Sequence, residues 1–226
     1  MEKISLRIEK NECEDLTRDL FLKMSGINKT GEKFDRMKED ADNIRDRIED
    51  RIDIKVACHY YNGKDDLKLD GRAVRIGSEI FQCNAFELLN ESDVNGVYVY
   101  ALTAGEYDSK EESILNRLYA DIWGTSFTEA ARILMSKELG KRDELSDSFG
   151  PGFYGMDLIE MSKIDRLLGF EKIGIELKKS GILVPVKSCA GLLFSVTDSY
   201  QKMNSACRDC LGNHKSCKLC RQMSNN

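Results

Sequence analysis

The sequence predicts an α+β fold: a mixed or antiparallel sheet crossed by long helices. One domain is expected over residues 1–200, followed by a cysteine-bearing tail at 201–226. Three stretches lead there. "GVYVYALTAG" is almost wholly apolar, as a central strand covered on both faces must be. "EESILNRLYADIWGTSFTEAARILMSKELG" keeps helical spacing over a length that should run through the core. "LKLDGRAVRI" sets Asp70-Gly71 between alternating segments, the strongest short signal for an antiparallel hairpin. A chain of 226 residues can bury a sizeable core, and 41% hydrophobic against 32% charged content excludes a disordered chain.

The other elements follow in order. In "NECEDLTRDLFLKMSG", Leu16, Leu20, Phe21 and Met24 share one helical face, and Gly26 supplies a stop. "GEKFDRMKEDADNIRDRIED" places Phe34, Met37, Ile44 and Ile48 as a narrow apolar stripe amid mixed charge, which is a surface helix. Glu32 and Arg36, one turn apart, support it slightly. The acidic residues of 35–53 read as a solvated face rather than a catalytic carboxylate pair. "IDIKVACHYY" is rich in β-formers and predicts a strand with His59 near its end. After the hairpin, "SEIFQCNAFELLNES" is expected to be helical. In the long helix, Ile114, Leu115, Leu118 and Ile122 keep the spacing, and Phe127, Ala130, Ile133 and Leu134 resume it past Gly124. "DLIEMSKIDRLLG" starts with Asp157, has Glu160 three residues on in the manner of a capping box, and ends at Gly169. "GILVPVKS" and "AGLLFSVTD" predict the last two strands.

Composition also narrows function. A net charge of −5 argues against a nucleic-acid partner, since phosphates want a basic face. No apolar run approaches the roughly 20 residues that cross a bilayer, so no membrane partner is expected. The N-terminal stretch lacks the apolar centre of a secretion signal, and the expected location is the cytoplasm. Two histidines give little material for acid–base or triad catalysis. "FGPGFYG" spells G-x-G-x-x-G at Gly150, Gly152 and Gly155. A dinucleotide fingerprint needs an apolar strand running into its first glycine, however, and "KRDELSDS" is too polar for a buried strand. Pro151 also removes a backbone donor. The stretch reads as a tight turn feeding a helix. Its glycines let a ligand approach the backbone, with Phe149, Phe153 and Tyr154 able to pack an adenine or a thioether.

"SFGPGFYGMDLIEMSKIDRLLG", with "IGIELKKSGILVPVKSCAGLLFS" after it, resembles the activation domain of vitamin B12-dependent methionine synthase, especially its free-standing versions. "VYVYALTAGEYD" and "ADIWGTSFTEAA" extend the likeness over most of the chain. The resemblance implies an α+β fold that binds S-adenosylmethionine largely through a Pro-Gly loop. It also implies a role in reductive remethylation of cobalamin held by a partner. Pro151 and Gly152 match that loop, Phe153 falls on its tyrosine, and Gly150 on a small residue that contacts the ligand. Pro185, Ser188 and Gly191 match a second segment, and Leu193-Phe194 fall on a Tyr-Phe pair that touches the ligand. The cofactor-binding residues so implied are Gly150, Pro151, Gly152, Phe153, Leu193 and Phe194. Four positions depart from the pattern. Ser148 stands where an arginine helps hold the ligand carboxylate, Phe153 lacks a hydroxyl, Ala190 replaces a serine, and Leu193 replaces an aromatic. Loss of one charge-assisted contact costs about 1.5–3 kcal/mol.

The implied partners are a cobalamin-binding methionine synthase or corrinoid methyltransferase and an electron donor protein. The chain shows no homocysteine, folate or cobalamin module, so making methionine alone is not expected. Two competing readings are a metal-bearing adaptor that has lost the methyl donor and an electron-transfer protein.

Four of the eight cysteines crowd into "CRDCLGNHKSCKLC". Cys207-x-x-Cys210 and Cys217-x-x-Cys220 can turn four thiolates toward one centre. Zinc and a 4Fe–4S cluster both take such a set, and spacing does not separate them. His214 reads as a spacer, and Arg208, Lys215, Lys218 and Arg221 would offset thiolate charge. The remaining cysteines, with Cys58, Cys83 and Cys189 among apolar neighbours, read as buried small hydrophobes.

Overall fold

Strand β6 (Val94–Gly105) is the axis of the molecule, and its side chains alternate between two separate cores. Tyr98, Tyr100, Leu102 and Ala104 face one core, while Val97, Val99 and Ala101 face the other. The computed structural model describes residues 1–63, 65–106 and 113–202. Around β6 lie β1 (Glu2–Ile4), β2 (Ile52–Asn62), β7 (Glu144–Phe149) and β10 (Ser188–Val196). They form a five-stranded sheet in the order β1-β2-β6-β10-β7, antiparallel throughout. The α+β expectation holds.

Three helices cover the first face: α1 (Lys10–Ser25), α2 (Glu32–Ile48) and α3 (Ile114–Leu139). A capping box between Glu9 and Glu12 starts α1, and Gly26, at φ 72°, ends it. Trp123 of α3 ties the three together. Its ring stacks on Phe21 at 3.8 Å, and its indole N–H donates to the Ala41 carbonyl at 2.8 Å. The helical length of α3 agrees with its periodicity, and Phe127 and Ala130 are buried as expected, but the face expected at its start is not. Ile114, Leu115 and Leu118 are exposed, while Tyr119, Ala120, Trp123, Phe127, Ala130 and Ala131 are buried. The aromatic and alanine positions, one turn apart, define the tighter packing surface. In α2, Ala41, Ile44 and Ile48 form the buried stripe, and Arg36 donates to Glu32 as expected.

The opposite face is closed by small pieces. A meander of β3 (Leu67–Asp70), β4 (Ala73–Ile76) and β5 (Glu79–Gln82) follows the Asp70-Gly71 turn. Beside it lie α4 (Met161–Leu168) and the short pair β8 (Glu176–Leu177) and β9 (Leu183–Val184). The helix expected over 78–92 is instead β5 followed by a short 3-10 turn at Asn84–Leu88. Gly77, at φ 54°, turns the chain back, and a strand buries alternate Phe81 while leaving Ile80 exposed.

Two further expectations are corrected. "KRDELSDS" does contribute a strand, because β7 is an edge strand and needs only part of its side chains inside: Leu145 and Phe149 are buried. At the irregularity between Leu193 and Ser195, the Ser146 hydroxyl accepts the Phe194 N–H at 2.9 Å, so a polar side chain completes the ladder. Glu160 does not close a capping box. Asp157 caps a short 3-10 turn by accepting the Ile159 N–H. Glu160, buried, accepts from Lys163 at 2.7 and 2.8 Å and from the Gln82 N–H at 3.2 Å, fastening α4 to β5. Among the described residues no helix is long and apolar enough to cross a membrane.

Candidate functional site

The stretch Phe149–Gly155 leaves β7 and folds on itself. The Phe153 N–H donates to the Gly150 carbonyl at 3.0 Å, the Gly152 N–H to Met156 at 2.9 Å, and the Met156 N–H to Phe153 at 2.8 Å. Left-handed backbone at Gly152 (φ 93°), Tyr154 (φ 54°) and Gly155 (φ 74°) makes this coil. Tyr154 tolerates the conformation because it is held on both ends. Its ring packs on Phe149 at 5.2 Å and its carbonyl accepts from the Cys83 thiol at 3.3 Å. A side chain on Gly155 would meet the Asn84 amide at 2.3 Å, so the loop can lie against the 3-10 turn only with glycine there.

Between this loop, α3 and the start of β10 opens a cleft of about 1080 Å³. Gly150, Pro151 and Phe153 line it, so the structure brings three of the expected ligand residues together. Phe153 is exposed at 62%, a ring free to cover a guest. Gly152 belongs to the same loop without lining the cleft. Leu193 and Phe194 are not brought to the cleft. Leu193 packs in the helix-side core, and Phe194 in the opposite core against Phe86 and Phe149. Consecutive residues of a strand face opposite ways, so this pair is divided between two interiors. From β10 the cleft takes Ser188, Cys189 and Ala190 instead.

The floor is polar in a defined way. Tyr100 of β6 reaches across β10 to hydrogen-bond Ser148 of β7 at 2.7 Å. It passes over Gly191, where a side chain would meet the Tyr100 hydroxyl at 3.1 Å and the Phe149 carbonyl at 2.6 Å. Burial holds the Tyr100 phenol above its ordinary range, so it is a neutral hydroxyl.

The wall opposite the loop comes from α3, through Thr125, Thr128, Glu129 and Arg132. This stripe was missed by sequence reasoning. Its signal was there: polar residues at i, i+3, i+4 and i+7 on a helix whose other sides are apolar. Arg132 grips Glu129 in a two-point contact, Nε to Oε2 at 2.8 Å and Nη2 to Oε1 at 2.5 Å. The carboxylate beside it keeps Arg132 firmly protonated. Both side chains remain about one-third exposed, at 29% and 33%. Lys187, on the same rim, is engaged by Asp121 at 2.6 Å and Thr125 at 2.9 Å. Asp147 accepts from the Tyr200 hydroxyl at 3.1 Å.

Cys58, Cys83 and Cys189 offer no thiolate nucleophile. Burial pushes the Cys83 thiol up to about 11, and those of Cys58 and Cys189 up to about 12. They are thiols at neutral pH; Cys58 and Cys83 are buried as expected, whereas Cys189 is only half-buried and lines the cleft. Among the described residues no group of three or more His, Cys, Asp or Glu is placed to hold a metal ion. Cys207, Cys210, Cys217 and Cys220 lie outside the described residues.

No protein-family model and no curated protein matches the chain. Among solved structures, it is similar to a crystal structure of the MetH reactivation domain bound to AdoHcy, with a TM-score of 0.60. The match covers 87% of this chain and 72% of the other at 13% identity. At that identity the comparison speaks for architecture: this chain has the fold of the MetH reactivation domain.

Proposed function

We propose that the cleft beside Gly150–Phe153 binds S-adenosylmethionine and that the protein serves reductive reactivation of a corrinoid-bearing methyltransferase or methionine synthase. One observation carries the reading. The glycine–proline loop that resembles a methyl-donor site lines a cleft in a chain sharing its fold with a domain solved with AdoHcy. The cleft fits such a guest in size and lining. Phe153 and Tyr154 offer ring surface for an adenine, Met161, Ile182 and Val186 supply apolar wall, and Tyr100 with Ser148 supplies hydroxyls.

When bound, S-adenosylmethionine would supply an electrophilic methyl group for a reduced corrinoid on the partner and would leave as S-adenosylhomocysteine, the reducing electron coming from a separate donor protein. The work of this chain is positioning. The loop confines the nucleoside, and Phe153 with Met161, Ile182 and Val186 sheds water around the sulfonium. Amide hydrogens of Gly152 and Phe153 are already used inside the loop, so the hydroxyl floor carries the donor contacts to the guest. Cofactor contacts at Leu193 and Phe194 play no part in this reading, because both side chains are in the cores.

Titration calorimetry of the whole chain with S-adenosylmethionine and S-adenosylhomocysteine tests the reading. Saturable heat with micromolar to low-millimolar affinity is expected. No heat at millimolar ligand sinks the methyl-donor role and favours an adaptor that keeps only the fold. For the tail, we propose that Cys207, Cys210, Cys217 and Cys220 ligate zinc or a 4Fe–4S cluster, on their spacing alone. Metal and sulfide analysis after anaerobic purification distinguishes the two. A metal-free protein ends that proposal.

A further inference from the structure

The α3 wall carries an acid and a base for which the loop resemblance has no role. Glu129 and Arg132 are one turn apart, locked in a two-point pair, half-withdrawn from solvent and turned to the cleft. A surface pair of this kind contributes little to stability, so stability alone gives weak reason for its place. Its surroundings give a better one. The pair faces the Tyr100–Ser148 hydroxyls and the Cys189 thiol on the floor, and Thr125 and Thr128 continue the polar stripe. The other cationic groups on the cleft are less suited to a guest. Lys187 is bound by Asp121 and Thr125, and Lys23 stands on exposed α1.

We infer that Arg132 and Glu129 recognise the α-amino-acid end of the ligand, the guanidinium taking its carboxylate and the carboxylate its ammonium. This rests on the reading that the cleft takes an adenosyl amino acid. An acid–base pair of no net charge complements the zwitterionic end of the ligand charge for charge. On binding, the mutual two-point contact is exchanged for two contacts to the guest, so charge-assisted bonds are conserved in number. Arginine suits the task, because its planar fork matches a carboxylate at two points. The cleft thereby supplies from a helix the cation that Ser148 does not supply from β7. The pair is a specificity device, selecting adenosyl amino acids over plain thioether nucleosides.

The test compares three probes on the whole chain by calorimetry: S-adenosylmethionine, its decarboxylated analogue, and 5′-methylthioadenosine. The wild-type protein should bind S-adenosylmethionine about tenfold or more tighter than the decarboxylated analogue. Arg132→Met should erase that difference while leaving affinity for methylthioadenosine within about twofold, which also reports an intact cleft. Glu129→Gln should weaken both ammonium-bearing probes and spare methylthioadenosine. If Arg132→Met fails to fold, Arg132→Lys carries the same comparison, with a smaller loss confined to the carboxylate-bearing probe. Binding of S-adenosylmethionine that keeps its preference over the decarboxylated analogue in the Arg132 variants overturns this inference and leaves the proposed function standing. A wild-type protein that binds none of the three overturns both.

Discussion

The two faces of the central sheet are built in opposite ways. The helix face is closed by three long helices pinned at one residue, Trp123, which touches α1 and α2 at once. The other face is closed by a meander, 3-10 turns, α4 and a two-residue strand pair, each too small to be stable alone. The cleft forms where these two constructions meet, at the β7–β10 end of the sheet. There the rigid α3 wall faces a loop anchored in the patchwork. A cleft at that junction has one wall from a long packed helix and the other from a short loop.

The contrast can be broken most forcefully at Trp123. Trp123→Ala removes the stacked ring and the indole bond together and should cost about 3–5 kcal/mol in denaturant unfolding. A loss under about 1 kcal/mol would show that the three helices are not pinned there. Gly191→Ala comes next. It forces a methyl group toward the Phe149 carbonyl and the Tyr100 ring, with an expected cost of about 1–3 kcal/mol. Ligand affinity should fall with stability, because the loop begins at the strand being displaced. Unchanged calorimetric affinity in that variant would separate the floor from the cleft. Tyr100→Phe is milder. It removes one hydroxyl from a buried pair, for about 0.5–1.5 kcal/mol by chemical denaturation.

The gentlest perturbation is pH, acting near neutrality through His59 on the patchwork face. His59 is buried there beneath α4, and burial, with Lys3 and Lys172 nearby, holds its pKa below the ordinary 6.5 despite a bond to the Leu167 carbonyl. The unfolded chain therefore binds a proton that the folded chain refuses. The stability this group contributes is complete above about 6.5 and is lost as pH falls from there through the lower folded value. Melting temperature should drop between pH 7.5 and 5.5, and His59→Gln should flatten the drop. An equal slope in that variant would place the sensitivity elsewhere.

The regions also differ in how plainly the sequence announced them. The helix face was legible: the periodicity of α1, α2 and α3 comes from one large apolar surface, and local pattern is enough to see it. The finer choice of buried face on α3 was not. Ile114, Leu115 and Leu118 are as apolar as Trp123 and Phe127, and only the packing partners decide between them. The patchwork face was harder to read. Residues 78–92 carry helix-compatible spacing, yet the Gly77 turn and the neighbouring β4 make a strand of them. β7 was hidden because an edge strand is allowed to be polar. The loop at Gly150–Phe153 was legible from its glycines, and Gly150, Pro151 and Phe153 of it line the cleft. The resemblance treats Leu193 and Phe194 as a pair, whereas neighbours on a strand diverge into opposite cores.

The phenol that bridges three strands at the floor has a consequence for descent. Positions 100, 148 and 191 are interlocked: the ring needs the missing side chain at 191, and the hydroxyl it reaches needs a short residue at 148. A lineage that restored a long basic side chain at 148 would have to evict the ring, and one that enlarged 191 would strand the serine. These three sites should change in concert or stay together, as one inherited module, when sister sequences are compared.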